Sequence, residues 1–309
     1  MAGIWSMGVL PEDCVSAILS LTTPSDVGKL SLVSWGFRRA AESDVVWGRF
    51  LPKNYGEIVA ASEMSGEECG LRSKREIFFR MCSPILMEGG KKSLELERFR
   101  GKISYTLSAR ELDITWSSDP LCWTWKSHPE SRFPEVAELR TVSWLEIHGK
   151  IRTQVLSPNT KYGAYLLVKI SERAYGLDLM PAQVCVQLGN NNNTNNVVCT
   201  KSSVWLHHKH HHKKLQNLEC LFYGNRRERA RKLMLAHNNN NNNNNKEEEE
   251  EEIRVLTPRV EDDWLEIELG VFLNGENDEE LHMSFMETKG FQLKSGLIIH
   301  ALQIRPIPS

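Results

Sequence analysis

The sequence lacks the features that mark membrane-spanning and secreted proteins. No segment approaches the roughly 20 consecutive apolar residues that cross a bilayer. The opening MAGIWSMGVLPEDC has neither the basic stretch nor the apolar length of a signal peptide. The seven cysteines are an odd number without a Cys-x-x-Cys pair, so they predict reduced thiols. The expected location is therefore the cytoplasm, the nucleus or both.

A charge excess and the motifs of catalysis are also missing. With 38 basic and 40 acidic residues the net charge is −2, which gives no general attraction to nucleic acid or a lipid surface. The sequence has no nucleophile elbow and no phosphate-binding loop. The histidine-rich HHKHHHKK from His207 has no carboxylate or cysteine spacing that would complete a metal site. We therefore predict a protein that binds rather than catalyses, without cofactor, metal, nucleic-acid partner or membrane partner.

Residues 1–52 carry apolar side chains at helical spacing. A first helix is predicted after the Pro-Glu-Asp start, and Thr23-Pro24-Ser25-Asp26 predicts the N-terminus of a second. The apolar positions of this second helix are Val27, Leu30, Val33 and Phe37. The segment SDVVWGRFL predicts a third helix. A unit of about fifty residues has a marginal core of its own, so its surplus apolar side chains are expected to bind a partner.

Residues 53–90 are predicted to form a helical connector. Ser73 and Glu76 make a capping-box pattern ahead of the apolar residues of one helix. Gly89-Gly90 then marks a boundary, after which the apolar period changes from that of a helix to that of a strand.

The pattern of residues 91–309 predicts many short strands without intervening helices. Alternating runs such as WLEIHGKI and WLEIELG predict strands with one buried face, and GLIIHALQI, apolar on both faces, predicts a central strand. The fold class is therefore α+β and multidomain, with all-α helices followed by an antiparallel β-sandwich of jelly-roll type. Tracts of asparagine, histidine and glutamate within residues 190–260 are predicted to be disordered insertions.

The stretch ITWSSDPLCWTW holds three tryptophans around an Asp-Pro turn. Either the rings fill the core, or they form a surface for a flat ligand. The hypothesis taken further is that the turn folds an exposed Trp123 back beside Trp116, at the rim of the core, while Trp125 anchors the turn from below. Trp144 and Trp264 lie on the outward parity of their strands, and both are expected to be packed under other parts of the chain.

The N-terminal stretch LPEDCVSAILSL…DVGKLSLVSWGFRRAAESDVVW resembles the F-box. This resemblance implies that the helices bind the Skp-family adaptor of a Skp–cullin–F-box ubiquitin ligase, and through it a cullin-RING ligase. The residues that it assigns to this contact are Leu10, Pro11, Ile18, Leu19, Leu30, Val33 and Trp47.

The remainder resembles the phloem-protein-two-like lectin domain, also called the Nictaba type. The similar pieces are SARELDITW, the DP…WTW turn, FPEVAELRTVSWLEIHGKI, DDWLEIELG and KSGLIIHALQIRP. The resemblance implies a sandwich that binds N-acetylglucosamine-containing glycans, and a plant origin. It assigns the sugar contacts to Trp116, Trp123, Glu280 and Glu287. The last two are seven residues apart, so a turn or bulge between them is needed for both to face one ligand.

The function predicted from these resemblances is that of a non-catalytic receptor subunit. The helices would bind the adaptor, and the sandwich would capture a glycan or glycoprotein for ubiquitylation. The alternative is a protein-binding F-box adaptor whose sandwich has no sugar affinity. A glycosidase that uses Glu280 and Glu287 is disfavoured, because their spacing and their place on a strand do not suit two carboxylates about one bond.

Overall fold

The computed structural model describes residues 10–61, 73–189, 198–206, 253–255, 257–258 and 264–308. These residues form six α-helices and then fifteen β-strands, which confirms the α+β class. The predicted disorder of the asparagine, histidine and glutamate tracts concerns residues outside the described ranges. Among the residues described, no helix has the length and apolar character needed to cross a membrane.

The six helices are short. The first begins just after Pro11, and the next three begin just after Thr23, Ser34 and Ser43, whose side chains cap them. Thr23 accepts a hydrogen bond from the Asp26 amide ahead of Pro24, and Ser73 and Glu76 form the predicted capping box. The helices are α1 (Glu12–Leu19), α2 (Pro24–Leu30), α3 (Trp35–Ala41), α4 (Asp44–Phe50), α5 (Tyr55–Ala61) and α6 (Lys74–Met81).

The single second helix predicted for Val27 to Phe37 is wrong. The chain leaves α2 after Leu30 and starts α3 at Trp35, where the Ser34 hydroxyl accepts a hydrogen bond from the Phe37 amide. A serine that caps a new helix competes with continuation of the old one. The break turns the Leu32–Val33 segment outward, with consequences for the apolar surface described below.

The strands form two sheets. Their bounds are β1 (Ile85–Met87), β2 (Lys92–Leu96), β3 (Ile103–Ser108), β4 (Asp113–Ile114), β5 (Trp123–Lys126), β6 (Val136–Leu139), β7 (Leu145–Arg152), β8 (Thr160–Tyr175), β9 (Ala182–Leu188), β10 (Val198–Trp205), β11 (Ile253–Val255), β12 (Thr257–Pro258), β13 (Leu265–Asn274), β14 (Glu280–Glu287) and β15 (Ser295–Pro306).

The first sheet has the order β1-β2-β3-β15-β8-β13-β12, with β6 pairing to β15 and β5 to β6; the second has the order β11-β10-β9-β14-β7-β4. The pairs are antiparallel except β10 with β11. β15 pairs with β3, β6 and β8 and is buried along most of its length, so the prediction of a central strand is confirmed.

The two sheets pack face to face around one apolar core. Leu145, Ile147 and Ile151 of the second sheet point inward, as do Leu166 and Val168 of the first. The approach is close at Gly149, where an added Cβ would lie 2.7 Å from a methyl carbon of Leu302 on β15. A β-sandwich of this kind leaves the outer face of the second sheet free to carry polar residues.

The helices pack onto the sandwich through the loop between β2 and β3. The Ser25 amide donates to the Phe99 carbonyl oxygen at 3.2 Å. Gly101 adopts a positive φ of 68° there, and a Cβ at this position would contact Phe78, Pro24 and Phe50 at 3.4–3.5 Å. The buried residues of helices and sandwich belong to one continuous apolar cluster. The two parts of the chain are therefore packed against each other.

Candidate functional site

The helices expose an unusual number of large apolar side chains. Leu32 and Trp35 are 86% and 78% exposed, at and just after the break between α2 and α3. We name the exposed set in this region the helical apolar surface, and it consists of Leu10, Ile18, Leu21, Leu32, Val33, Trp35 and Val45. Exposed apolar side chains at this density mark an interaction site, because water contact with them is unfavourable.

The predicted adaptor contacts divide between this surface and the core beneath it. Leu10, Pro11, Ile18 and Val33 are exposed, and Leu30 is half-buried. The placement of Leu19 and Trp47 in the contact is corrected, because both are buried in the helical core. The Trp47 indole nitrogen donates to the Ala41 carbonyl oxygen at 2.6 Å. These two residues shape the surface from below, since their side chains fill the interior that supports it.

The predicted adaptor contacts do not include Leu32 and Trp35. Both omissions follow from the wrong assignment of one continuous helix, in which Leu32 would have been an isolated outward residue. The Ser34 cap was the available signal, because a serine just before apolar residues is typical of a helix N-terminus.

On the sandwich, Trp116 lies in a left-handed backbone conformation just after β4. Its φ is 59°, a value that bulky side chains rarely adopt and that costs free energy unless the surroundings impose it. Ile114 has the same parity and is buried, yet the Trp116 ring is 48% exposed. The turn therefore takes Trp116 out of the strand alternation and presents its ring to solvent.

The other two tryptophans of this stretch hold the turn. The Trp123 indole nitrogen donates to the Thr115 carbonyl oxygen at 3.0 Å, and that of Trp125 donates to the Ser117 carbonyl oxygen at 2.9 Å. These carbonyls flank Trp116. The Arg110 guanidinium lies 3.6 Å from the centre of the Trp125 ring. The prediction of an exposed Trp123 is wrong, because Trp123 is 2% exposed and its ring belongs to the core.

A second group of hydrogen-bonded residues lies beside this turn, at the start of β7. Glu146 accepts a hydrogen bond from the Trp144 indole nitrogen at 2.9 Å, and His148 Nε2 lies 2.8 Å from its other oxygen. The hydrogen bond from Trp144, and then that from His148, lowers the pKa of Glu146 below its ordinary value. The expectation that Trp144 is covered is wrong, since its ring is 45% exposed. Trp264, in contrast, is buried and stacks on His300 at 4.4 Å between ring centres.

Glu280 and Glu287 do not converge on one ligand. They occupy the two ends of β14, which pairs with β7 without a bulge from Glu280 to Glu287. Glu280 faces outward, where its carboxylate lies 3.2 Å from His282 Nε2. Glu287 faces inward and is 4% exposed. The turn or bulge expected between them is absent from this described strand, so Glu287 cannot contact a surface ligand in this structure.

Glu287 instead pairs with Lys294, whose side chain is 1% exposed. The Lys294 ammonium also donates to the carbonyl oxygens of Ser143, Gly290 and Gln292. Burial lowers the pKa of Lys294 to about 8, so the ammonium still carries its charge at neutral pH. The pair therefore links the loop before β15 to the segment just before Trp144.

The fold and these two surfaces define a class of protein, in which a small helical unit with an exposed apolar surface is joined to a β-sandwich with exposed aromatic rings. Comparison with known families agrees with this division. A family model described as F-box-like matches residues 7–53, and one described as Phloem protein 2 matches residues 102–306.

Three curated proteins of Arabidopsis thaliana are similar along nearly the whole chain. "F-box protein PP2-B15" is 41% identical, with 97% of this chain and 97% of that protein covered. "F-box protein PP2-B13" is 42% identical, with 98% and 99% covered. "F-box protein VBF" is 40% identical, with 97% and 99% covered. The chain therefore belongs to the F-box proteins with a phloem protein 2 domain, which confirms both resemblances found in the sequence.

Proposed function

We propose that this protein is a substrate receptor of a Skp–cullin–F-box ubiquitin ligase. The observation that carries the proposal is the helical apolar surface on an F-box unit that is packed against a second domain. The helices bind a Skp-type adaptor, the sandwich captures the target, and partner subunits supply the chemistry. The expected location of the protein is the cytoplasm, the nucleus or both.

The apolar surface supports the adaptor contact through the hydrophobic effect. Leu32, Val33 and Trp35 lie close together along the chain at the break between α2 and α3. Burial of such side chains contributes about 1.5–3 kcal/mol each. Only part of this free energy appears as affinity, because association also costs translational and rotational freedom. A cluster of several such anchors is nevertheless typical of the centre of a protein–protein interface.

For the sandwich we propose recognition of glycans that contain N-acetylglucosamine, with Trp116 as the stacking platform. A sugar ring has C–H faces that an aromatic ring can cover. The Trp116 ring is half-exposed, and its backbone is fixed by the indoles of Trp123 and Trp125. A platform that is already ordered loses little conformational entropy when a ligand binds.

The burial of Trp123 and Glu287 favours a second candidate function. Two of the four sugar contacts implied by the resemblance are not available at the surface. The second candidate is a receptor that captures protein surfaces without sugar affinity, and it keeps the same adaptor contact. The two candidates differ in whether a free oligosaccharide competes with the captured target.

Affinity purification of the tagged full chain from plant cells under proteasome inhibition tests the proposal. Replacement of Leu10 and Pro11 together with alanine should remove the adaptor and the cullin from the purified material while captured target proteins remain. Replacement of Trp116 with alanine should do the reverse. Recovery of the adaptor and cullin with the Leu10/Pro11 variant at the level of the wild type would contradict the receptor function.

The same purification separates the two candidates for the sandwich. Addition of an N-acetylglucosamine trisaccharide to the wash should release the targets if the sandwich recognises glycans. Targets that stay bound in the trisaccharide wash and are lost only with Trp116→Ala would support capture through protein surfaces.

A further inference from the structure

We infer that Trp144 and Glu146 form a second subsite that extends the sugar site beyond Trp116, so that the site takes an oligosaccharide rather than a single sugar. This inference rests on the proposed glycan recognition. Trp144 provides a second stacking surface, and Glu146 accepts hydrogen bonds from hydroxyl groups of the ligand.

The pairing of β4 with β7 places the two subsites side by side. Ile114 lies opposite Ile147, and the Thr115 amide then donates to the Glu146 carbonyl oxygen at 3.1 Å. Trp116 follows Thr115 directly, and Trp144 lies two residues before Glu146, just ahead of the facing strand β7. Directly opposed residues of paired strands are about 5 Å apart. The backbone of Trp116 is therefore adjacent to the strand end that carries Trp144.

Two half-exposed tryptophans at one sheet edge suit a ligand with apolar faces. Trp116 and Trp144 are 48% and 45% exposed, so each ring offers surface to a ligand and remains supported by the protein. The Trp144 ring is fixed by its hydrogen bond to Glu146, and the carbonyl of the preceding Ser143 accepts from the buried Lys294. The second platform is therefore ordered before a ligand arrives.

Glu146 supplies the polar part of the recognition. Each carboxylate oxygen accepts one hydrogen bond within the protein, which leaves acceptor positions on both oxygens. The side chain is 27% exposed, so part of it is within reach of a ligand. Aromatic surfaces beside a carboxylate match a sugar, which has both C–H faces and hydroxyl donors. A purely apolar peptide would leave the carboxylate desolvated without a partner, which is unfavourable.

Calorimetric titration of the full chain with N-acetylglucosamine and its di- and trisaccharide tests the inference. Trp144→Ala should weaken trisaccharide binding about tenfold, a loss typical of one aromatic stacking contact, and leave the affinity for the single sugar nearly unchanged. Trp144→Phe keeps a ring and should restore most of the lost affinity. Glu146→Gln should weaken the di- and trisaccharide, whereas Trp116→Ala should weaken all three ligands.

Tyr175→Ala is the matched control, because this ring is also half-exposed but lies at the end of β8. It should bind all three sugars like the wild type, and a thermal melt of each variant shows whether the fold is intact. Wild-type trisaccharide affinity in Trp144→Ala, with binding lost in Trp116→Ala, would overturn the second subsite and leave glycan recognition standing. A wild-type chain that binds none of the sugars would overturn both.

Discussion

Replacement of Lys294 with methionine is expected to lower the free energy of unfolding by about 3–5 kcal/mol, the cost of a broken buried ion pair. The substitution leaves the Glu287 carboxylate inside the sandwich without its cation. It also leaves the carbonyl oxygens of Ser143, Gly290 and Gln292 without the donor that they share. Urea denaturation followed by tryptophan fluorescence measures the change in free energy.

Two further variants make this result specific. Arg152→Met breaks the exposed pair between Arg152 and Asp278, whose nitrogen and oxygen are 2.7 Å apart, and should cost less than about 1 kcal/mol. The double variant Lys294→Met/Glu287→Leu removes both buried charges and should recover part of the loss. A cost for Lys294→Met no larger than that for Arg152→Met would show that the buried pair has no structural role.

Trp123→Ala is expected to destabilise the sandwich by about 3–5 kcal/mol, the usual cost of truncating a large core side chain. Trp116→Ala should change stability by less than about 1 kcal/mol, because its ring is half-exposed and leaves no enclosed cavity. If Trp123 were exposed, the order of the two stability losses would be reversed. In a domain of this size the expected loss lowers the melting temperature by about 10 °C.

Trp123→Phe separates the volume of the ring from its hydrogen bond. It keeps most of the core contact but removes the donor to the Thr115 carbonyl, so its melting temperature should lie between those of the wild type and Trp123→Ala. Equal melting temperatures for Trp116→Ala and Trp123→Ala would contradict the division into a buried support and an exposed platform.

The regular elements of the fold could be predicted from local sequence. The caps at Thr23 and Ser73 and the central strand GLIIHALQI follow from residue type and periodicity, which act over a few residues. The break between α2 and α3 could not be read in this way. The apolar spacing from Val27 to Phe37 continues across it, and the Ser34 cap decides the outcome.

The site was less predictable because it depends on exceptions to periodicity. Strand parity places Trp116 inside, and only its left-handed backbone turns the ring outward. Parity correctly places Trp144 on the outer face, but it does not say whether another segment covers the ring. For Glu280 and Glu287, the odd spacing on an unbroken strand correctly argues for opposite faces, while the family resemblance suggested one site.

Buried partners far apart along the chain are the hardest features to predict. Lys294 looks like an ordinary surface lysine in sequence, and the Ser143 carbonyl that it contacts is 151 residues away. Its burial becomes visible only when β14, β15 and the segment before β7 are assembled. Lysine is rarely buried, so composition argues against the arrangement that the structure has.

Titration of the purified full chain with a purified Skp-type adaptor tests the central claim most directly. We predict saturable binding of one adaptor per chain. The Leu32→Asp/Trp35→Asp variant should weaken this binding about 100-fold or more, because charges would be buried against an apolar partner surface. Leu273→Asp changes a leucine on β13 that is 65% exposed, and this variant should bind like the wild type. Absence of binding by the wild type, or unchanged affinity in the Leu32/Trp35 variant, would contradict the assignment of the helical apolar surface as the adaptor contact.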